Sequence, residues 1–281
     1  MDEVTDEWIR EINEEFSGND IPHEQRPWLA YTEWGKQTTG WKRFFADDPN
    51  AKKIFDWFKK NTKPALTPSM FTGSFYFDAC IWPITIPIVF GNIEFYTLNS
   101  LKTMPDPIKT RLKSQKDKIR EFINLWSECY DFAYGIDPLI ERENPRPFAH
   151  NLLKSGQEQL NETVALLNKE TANSSAAESA RMATEMFLKA FLAYKAGLTE
   201  REAKKIGHNL EIGLDKCLEI DPCSELRSVR SELTCFPSIH DRYKGLEKSP
   251  RELWRAYRVA QFTGAAIVRS LSGRDSRCVR E

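Results

Sequence analysis

The sequence predicts an α+β protein. An N-terminal α+β region carries a small, mainly antiparallel sheet, and an all-α, up-and-down helical bundle follows it. Three observations carry this reading. From His150 onward, apolar residues recur at helical spacing through a series of capped segments. Between residues 71 and 99 the runs FYFDACIW, ITIPIVF and IEFYTL are instead β-branched and aromatic. The segment GIDPLIERENPRPF at 135–148 holds three prolines and a glycine among charges, which sets the expected boundary between 1–147 and 148–272. Residues 273–281 read as a flexible basic tail.

Composition bounds the function classes. The chain has 281 residues, 41% hydrophobic and 29% charged, in the range of a soluble globular protein with room for two domains. A net charge of −1 gives no global field toward nucleic acid or membrane. The charge is uneven, because residues 1–26 hold nine acids against Arg10 and Arg26. That acidic start lacks the basic and apolar regions of a signal peptide. The longest apolar run, Ile84 to Phe90, is broken by Thr85 and Pro87 and is too short to span a bilayer. A cytoplasmic protein without a membrane partner is the expectation. The six cysteines form no CxxC pair and match no zinc spacing, so reduced, mostly buried thiols are expected, with no metal and no cofactor.

In the N-terminal half, residues 5–17 read as a helix with Trp8, Ile9, Ile12 and Phe16 on one face. Residues 19–47 read as an irregular segment fastened to a core by Trp28, Tyr31, Trp34, Trp41, Phe44 and Phe45. Asp48 and Pro49 open a second helix that ends near Asn61. The sheet is expected to have two to four strands, with Gly91-Asn92 as a hairpin turn, and it lacks any Gly-rich phosphate loop. A long helix is expected over 107–132. Its apolar face is Ile108, Leu112, Ile119, Phe122, Ile123 and Trp126, and Lys109, Lys113, Lys116 and Arg120 form a basic stripe at 4-3-4 spacing. Such a stripe is either a solvated face or a surface that tracks phosphates.

The C-terminal half begins with a helix over 149–170. The next stretch, Ser174 to Gly197, places Ala176, Ala180, Ala183, Phe187, Ala190 and Tyr194 on one face. Glu178, Arg181, Glu185 and Lys189 form its polar face, with Glu185 and Lys189 in the favourable order for a helical ion pair. Ser175 with Glu178 makes a capping-box pattern, and Gly197 is a left-handed stop. Thr199 with Glu202 makes a second box, Gly207-His208-Asn209 leads into LEIGLDKCLEI, and Ser249-Pro250-Arg251-Glu252 caps the last helix. Arg251, Arg255 and Arg258 share a face of that helix and, with Arg242 and Lys244, make a candidate anion site.

Three phrases, AAESARMATEMFLKAFLAYKAG, KKIGHNLEIGLDKC and HDRYKG before a final amphipathic helix, are similar to the HEPN family of small helical domains. The resemblance covers about 148–272 and implies an up-and-down bundle that pairs as a homodimer. It also implies a nucleotide or RNA ligand in a prokaryotic toxin or defence setting. Catalytic members are metal-independent ribonucleases whose signature is Arg, four to six residues, a polar residue and His. The arginine stabilises the charged transition state and the histidine acts as general acid or base. Arg201 and His208 have six residues between them, although His208 stands in the slot that leads into the third helix. The later slot reads His240-Asp241-Arg242-Tyr243, with no arginine at the signature spacing before His240. Two readings stay open. One is a module that binds nucleotide or RNA without cleaving it, while the N-terminal half supplies a protein partner or ligand specificity. The other is a ribonuclease using His240 or His208 with Arg242 or Arg201.

Overall fold

The structure is a computed structural model. It describes residues 3–23, 25–37, 48–62, 69–89, 94–141, 146–169, 171, 173–222, 224–237 and 248–279. The chain divides into two compact units, 1–69 and 70–281.

In the first unit, α1 (Asp6–Gly18), α2 (Arg26–Gln37) and α3 (Pro49–Asn61) close on a core of Ile9, Ile12, Phe16, Ala30, Ile54 and Phe58. The caps form as local chemistry dictates. Thr5 Oγ1 accepts from Trp8 N at 3.2 Å, and Asp48 Oδ1 accepts from Asn50 N at 2.9 Å. Residues 26–37, expected to be irregular, are helical. Their aromatic residues fall at three-residue steps along one side, and Trp28 meets Phe55 of α3 edge-on at 4.8 Å. Buried Arg26 ties down the entry, donating to Ile21 O at 2.8 Å and Asn13 Oδ1 at 3.0 Å. Trp41, Phe44 and Phe45 lie outside the described residues.

The second unit begins with a two-stranded sheet, β1 (Ser69–Phe77) and β2 (Cys80–Pro87). The run FYFDACIW folds back at Asp78 and Ala79. Both take left-handed φ, 57° and 58°, as a two-residue hairpin of this hand requires. The expected turn at Gly91-Asn92 lies outside the described residues. The long helix expected over 107–132 is two helices, α4 (Asp106–Ser114) and α5 (Lys116–Glu141), broken at Gln115, whose ψ is 94°. Of the basic stripe, Lys109 and Lys113 therefore stand on α4 and Lys116 and Arg120 on α5.

Then come α6 (Pro147–Leu167), α7 (Ala176–Ala196), α8 (Glu200–Ile206) and α9 (Leu210–Ile220). They are followed by α10 (Ser224–Val229), running into a 3-10 turn at Arg230–Cys235, and by α11 (Pro250–Ser272). Both later capping boxes form, at Thr199/Glu202 and Ser249/Glu252, and Gly197 takes φ 71° at the end of α7. The box expected at Ser175 does not. Ser175 is itself helical in φ and ψ, and its N–H donates to Asn173 Oδ1 at 2.9 Å.

The contacts do not part at 147/148. α5 continues through Gly135 and Pro138 to Glu141 and packs on α6 and α11, so one core holds α5, α6, α7, α11 and the sheet. The sheet is fastened to that bundle through its backbone. Trp254 Nε1 donates to Ser74 O at 2.8 Å, and Ser74 N donates to the Tyr257 hydroxyl at 3.2 Å. Gly73 permits the close approach, since a Cβ there would sit 2.7 Å from Cys129 Sγ.

The described residues after Gly273 dock on the bundle. Ser276 N donates to Asp131 Oδ1 at 2.8 Å, and Arg277 makes two bonds of 2.8 Å to the Glu225 carboxylate. No described helix is long and apolar enough to cross a membrane.

Candidate functional site

The polar face of α7 is covered by the fold. Arg181, Glu185 and Lys189 are 9%, 4% and 8% exposed, on a helix that is buried almost all round. Glu185 is the centre of this row. Its Oε1 accepts from Lys189 Nζ at 2.7 Å, and Arg181 Nη1 stands 3.9 Å from its Oε2. A buried carboxylate is stable as an anion only with such partners, because desolvation alone would neutralise it.

The third partner arrives from another element. His208 sits in the short link between α8 and α9. Gly207 ends α8 at φ 61°, and Asn209 caps α9 by accepting from Ile212 N at 3.1 Å. With both neighbours fixed, His208 Nδ1 lies 3.0 Å from Glu185 Oε2 and 3.2 Å from Oε1. Arg181 Nη2 donates to the His208 carbonyl at 2.6 Å, closing the link onto α7. The ring remains 68% exposed, and its Nε2 makes no hydrogen bond among the described residues.

His208 and Arg181 border a cleft of about 570 Å³. Leu210, Leu233 and Phe236 form an apolar floor, and Asn209 and Glu211 complete the polar rim. The site thus combines an apolar floor, one aromatic ring and a few placed polar groups.

The other sequence candidates are placed as follows. Arg201 is exposed on α8, and no hydrogen bond joins it to His208 among the described residues. His240, Arg242 and Lys244 lie outside the described residues. Arg251 is exposed in the first turn of α11. Arg255 and Arg258 border a second groove of about 430 Å³ between α5, α10 and α11, and both are engaged with carboxylates. Arg255 donates twice to Glu232 Oε2, at 3.0 and 2.8 Å, and Arg258 grips both oxygens of buried Glu128. Lys109 lies 3.8 Å from Asp106, while Lys113, Lys116 and Arg120 are exposed. Among the described residues, no group of three or more His, Cys, Asp or Glu is placed to hold a metal ion.

Glu185 and Arg181 were not among the sequence candidates for this site. The one trace of them is a row of charges at four-residue steps, Arg181, Glu185 and Lys189, on an otherwise alanine-rich helix. The chain matches no family model, no curated protein and no solved structure.

Proposed function

We propose that this protein is a HEPN-like helical protein that binds nucleotide or RNA, and that the cleft beside His208 is its binding site. The observation that carries this reading is an exposed imidazole, anchored from beneath by a buried carboxylate, at the mouth of a cleft whose apolar floor includes Phe236. Phe236 and the leucines suit the flat face of a base, and Asn209 and His208 on the rim suit the hydroxyls of a sugar. Arg255 and Arg258, each closed on a carboxylate, serve this reading less well than His208 does. The test is binding of labelled single-stranded RNA in EDTA, at low and at physiological salt. Binding that weakens with salt and is reduced in Phe236→Ala and His208→Ala is the expected result. Absent binding at micromolar protein, or equal binding by both variants, overturns the reading.

A second reading is metal-independent cleavage of the bound RNA. It is favoured by the hydrogen bond between Glu185 and His208, since an acid–base histidine needs a group that orients it. The same incubations decide it. Products that appear with EDTA present and vanish in His208→Ala support cleavage, and intact RNA after prolonged incubation removes it.

A further inference from the structure

We infer that Glu185 is a positioning residue that fixes the tautomer of His208, and that Nε2 of His208 reads a hydroxyl donor on the ligand, making the cleft selective for ribose over a sugar that cannot donate. The first half stands on the pair alone. The second rests on the proposal that the cleft takes nucleotide or RNA.

The argument begins with donors and acceptors. A carboxylate can only accept, so a hydrogen bond between Glu185 and His208 Nδ1 places the ring proton on Nδ1. In the neutral ring Nε2 then carries a lone pair and no hydrogen. Free imidazole side chains in water prefer the opposite tautomer, so the preference here is imposed by the protein. Burial supports this direction of control. Glu185 is 4% exposed and already receives the Lys189 ammonium at 2.7 Å, so it does not depend on His208 for a counter-charge. The His208 ring is 68% exposed and contributes little packing, so what the contact fixes is the ring itself. The backbone is held independently, through Arg181 at the carbonyl and the Asn209 cap. A ring pinned at Nδ1, in a link pinned on both sides, has one nitrogen left for a ligand.

An Nε2 lone pair beside the cleft can accept a hydrogen bond from an O–H, and it repels another acceptor. A ribose 2′-hydroxyl donates, whereas a 2′-O-methyl group or a deoxyribose does not. Glu185→Gln should reverse the pattern. Lys189 and Arg181 donate only, so they would hold the amide oxygen and leave the amide NH₂ facing Nδ1. Nδ1 would then be the acceptor and Nε2 would carry the proton.

The experiment has two arms. In the first, long-range ¹H–¹⁵N correlation spectra of histidine-labelled protein at mildly alkaline pH report which ring nitrogen is protonated. The expected result is a protonated Nδ1 at His208 in the wild type and a protonated Nε2 in Glu185→Gln. A protonated Nε2 in the wild type, or no change in the variant, overturns the inference. In the second, one single-stranded sequence is titrated as RNA and as 2′-O-methyl RNA. The wild type should prefer RNA by up to about tenfold, the range of one neutral hydrogen bond, and Glu185→Gln should lose that preference. His208→Leu leaves the buried row intact, offers the ligand no acceptor and should lose it too, which keeps the arm decisive if Glu185→Gln folds poorly. Equal wild-type affinities for the two strands overturn the ribose reading. If neither strand binds, the proposed function falls, while the spectra still decide whether Glu185 sets the tautomer.

Discussion

The ring of Phe187 occupies the space that Gly264 leaves open, where a Cβ would stand 2.8 Å from Phe187 Cε2 and 3.0 Å from Phe132 Cε2. Gly156 on α6 makes a matching gap, 2.6 Å from the other edge of the same ring. Four helices meet at this point, because Phe132 of α5 packs edge-on to Phe187 at 5.6 Å. Gly264→Ala should therefore lower stability. Overpacking costs about 1–3 kcal/mol, and the helix-propensity gain of about 1 kcal/mol offsets part of it. Gly213→Ala is the control. Its nearest neighbour is Leu188 Cδ1 at 3.7 Å, an ordinary contact, so the same change there should raise the urea midpoint. A Gly264→Ala protein as stable as the wild type would contradict this packing.

Arg258 and Glu128 join α11 to α5 through a buried ion pair, with Glu128 5% exposed. Removing one partner leaves the other charge buried and alone. Glu128→Ala should cost about 3–5 kcal/mol in denaturant unfolding. Arg255→Ala, which breaks only an exposed pair with Glu232, should leave the midpoint where it is. Equal effects of the two substitutions would show that Arg258 is not held as described.

The docked C-terminal segment makes a pH prediction. Burial pushes the Glu225 carboxyl up, but the bonds from Arg277 and Arg269 outweigh it and hold the group below its ordinary value. A depressed carboxyl contributes stability that is present above the ordinary range and lost as pH falls through the lowered value. Neighbouring Asp131 acts in the opposite sense. Burial raises it despite bonds from Ser276 and Arg269, so its contribution grows as pH falls through the raised value. Glu225→Gln isolates the first effect. It should be less stable at neutrality, and its stability should fall less steeply on acidification than that of the wild type. Parallel acid limbs would contradict the assignment.

The thiols sort by burial. Desolvation pushes Cys129 and Cys217 up to about 12, and Cys80 is exposed. Only the thiolate reacts with alkylating agents. Iodoacetamide at mildly alkaline pH, mapped by mass spectrometry, should label Cys80 and spare Cys129 and Cys217 until the protein unfolds. The same two thiols should make stability fall as pH rises from their ordinary 9.0 toward about 12, because the unfolded chain loses those protons first. Cys217 on α9 is buried against α7, its Sγ 3.5 Å from Leu188 O, and rapid labelling of it in the native protein would contradict that packing.

What the sequence made legible is what is local. Asp48, Thr199 and Ser249 cap their helices with neighbours two or three residues away, and Gly197 stops α7 by its own φ. The Glu185–Lys189 pair, four residues apart, was visible for the same reason. The Asp78-Ala79 turn was not, because neither residue is the Asn-Gly or Gly that usually marks such φ values. The break at Gln115 was hidden because apolar periodicity resumes at once on its far side. The site was hidden most deeply. Periodicity marked Arg181, Glu185 and Lys189 as a polar face and had no means to see that the His208 link lies across it. Glu185 and His208 are 23 residues apart and meet only after three helices have packed.

The central claim is that RNA or nucleotide binds at the cleft beside His208. Its most direct measurement is a titration of ¹⁵N-histidine-labelled protein with single-stranded RNA in EDTA, following the ring resonances. The account predicts that the His208 ring signals shift and saturate with the binding curve while those of His23 and His150 stay in place. RNA that binds with the His208 signals unmoved, or that does not bind at all, would contradict it.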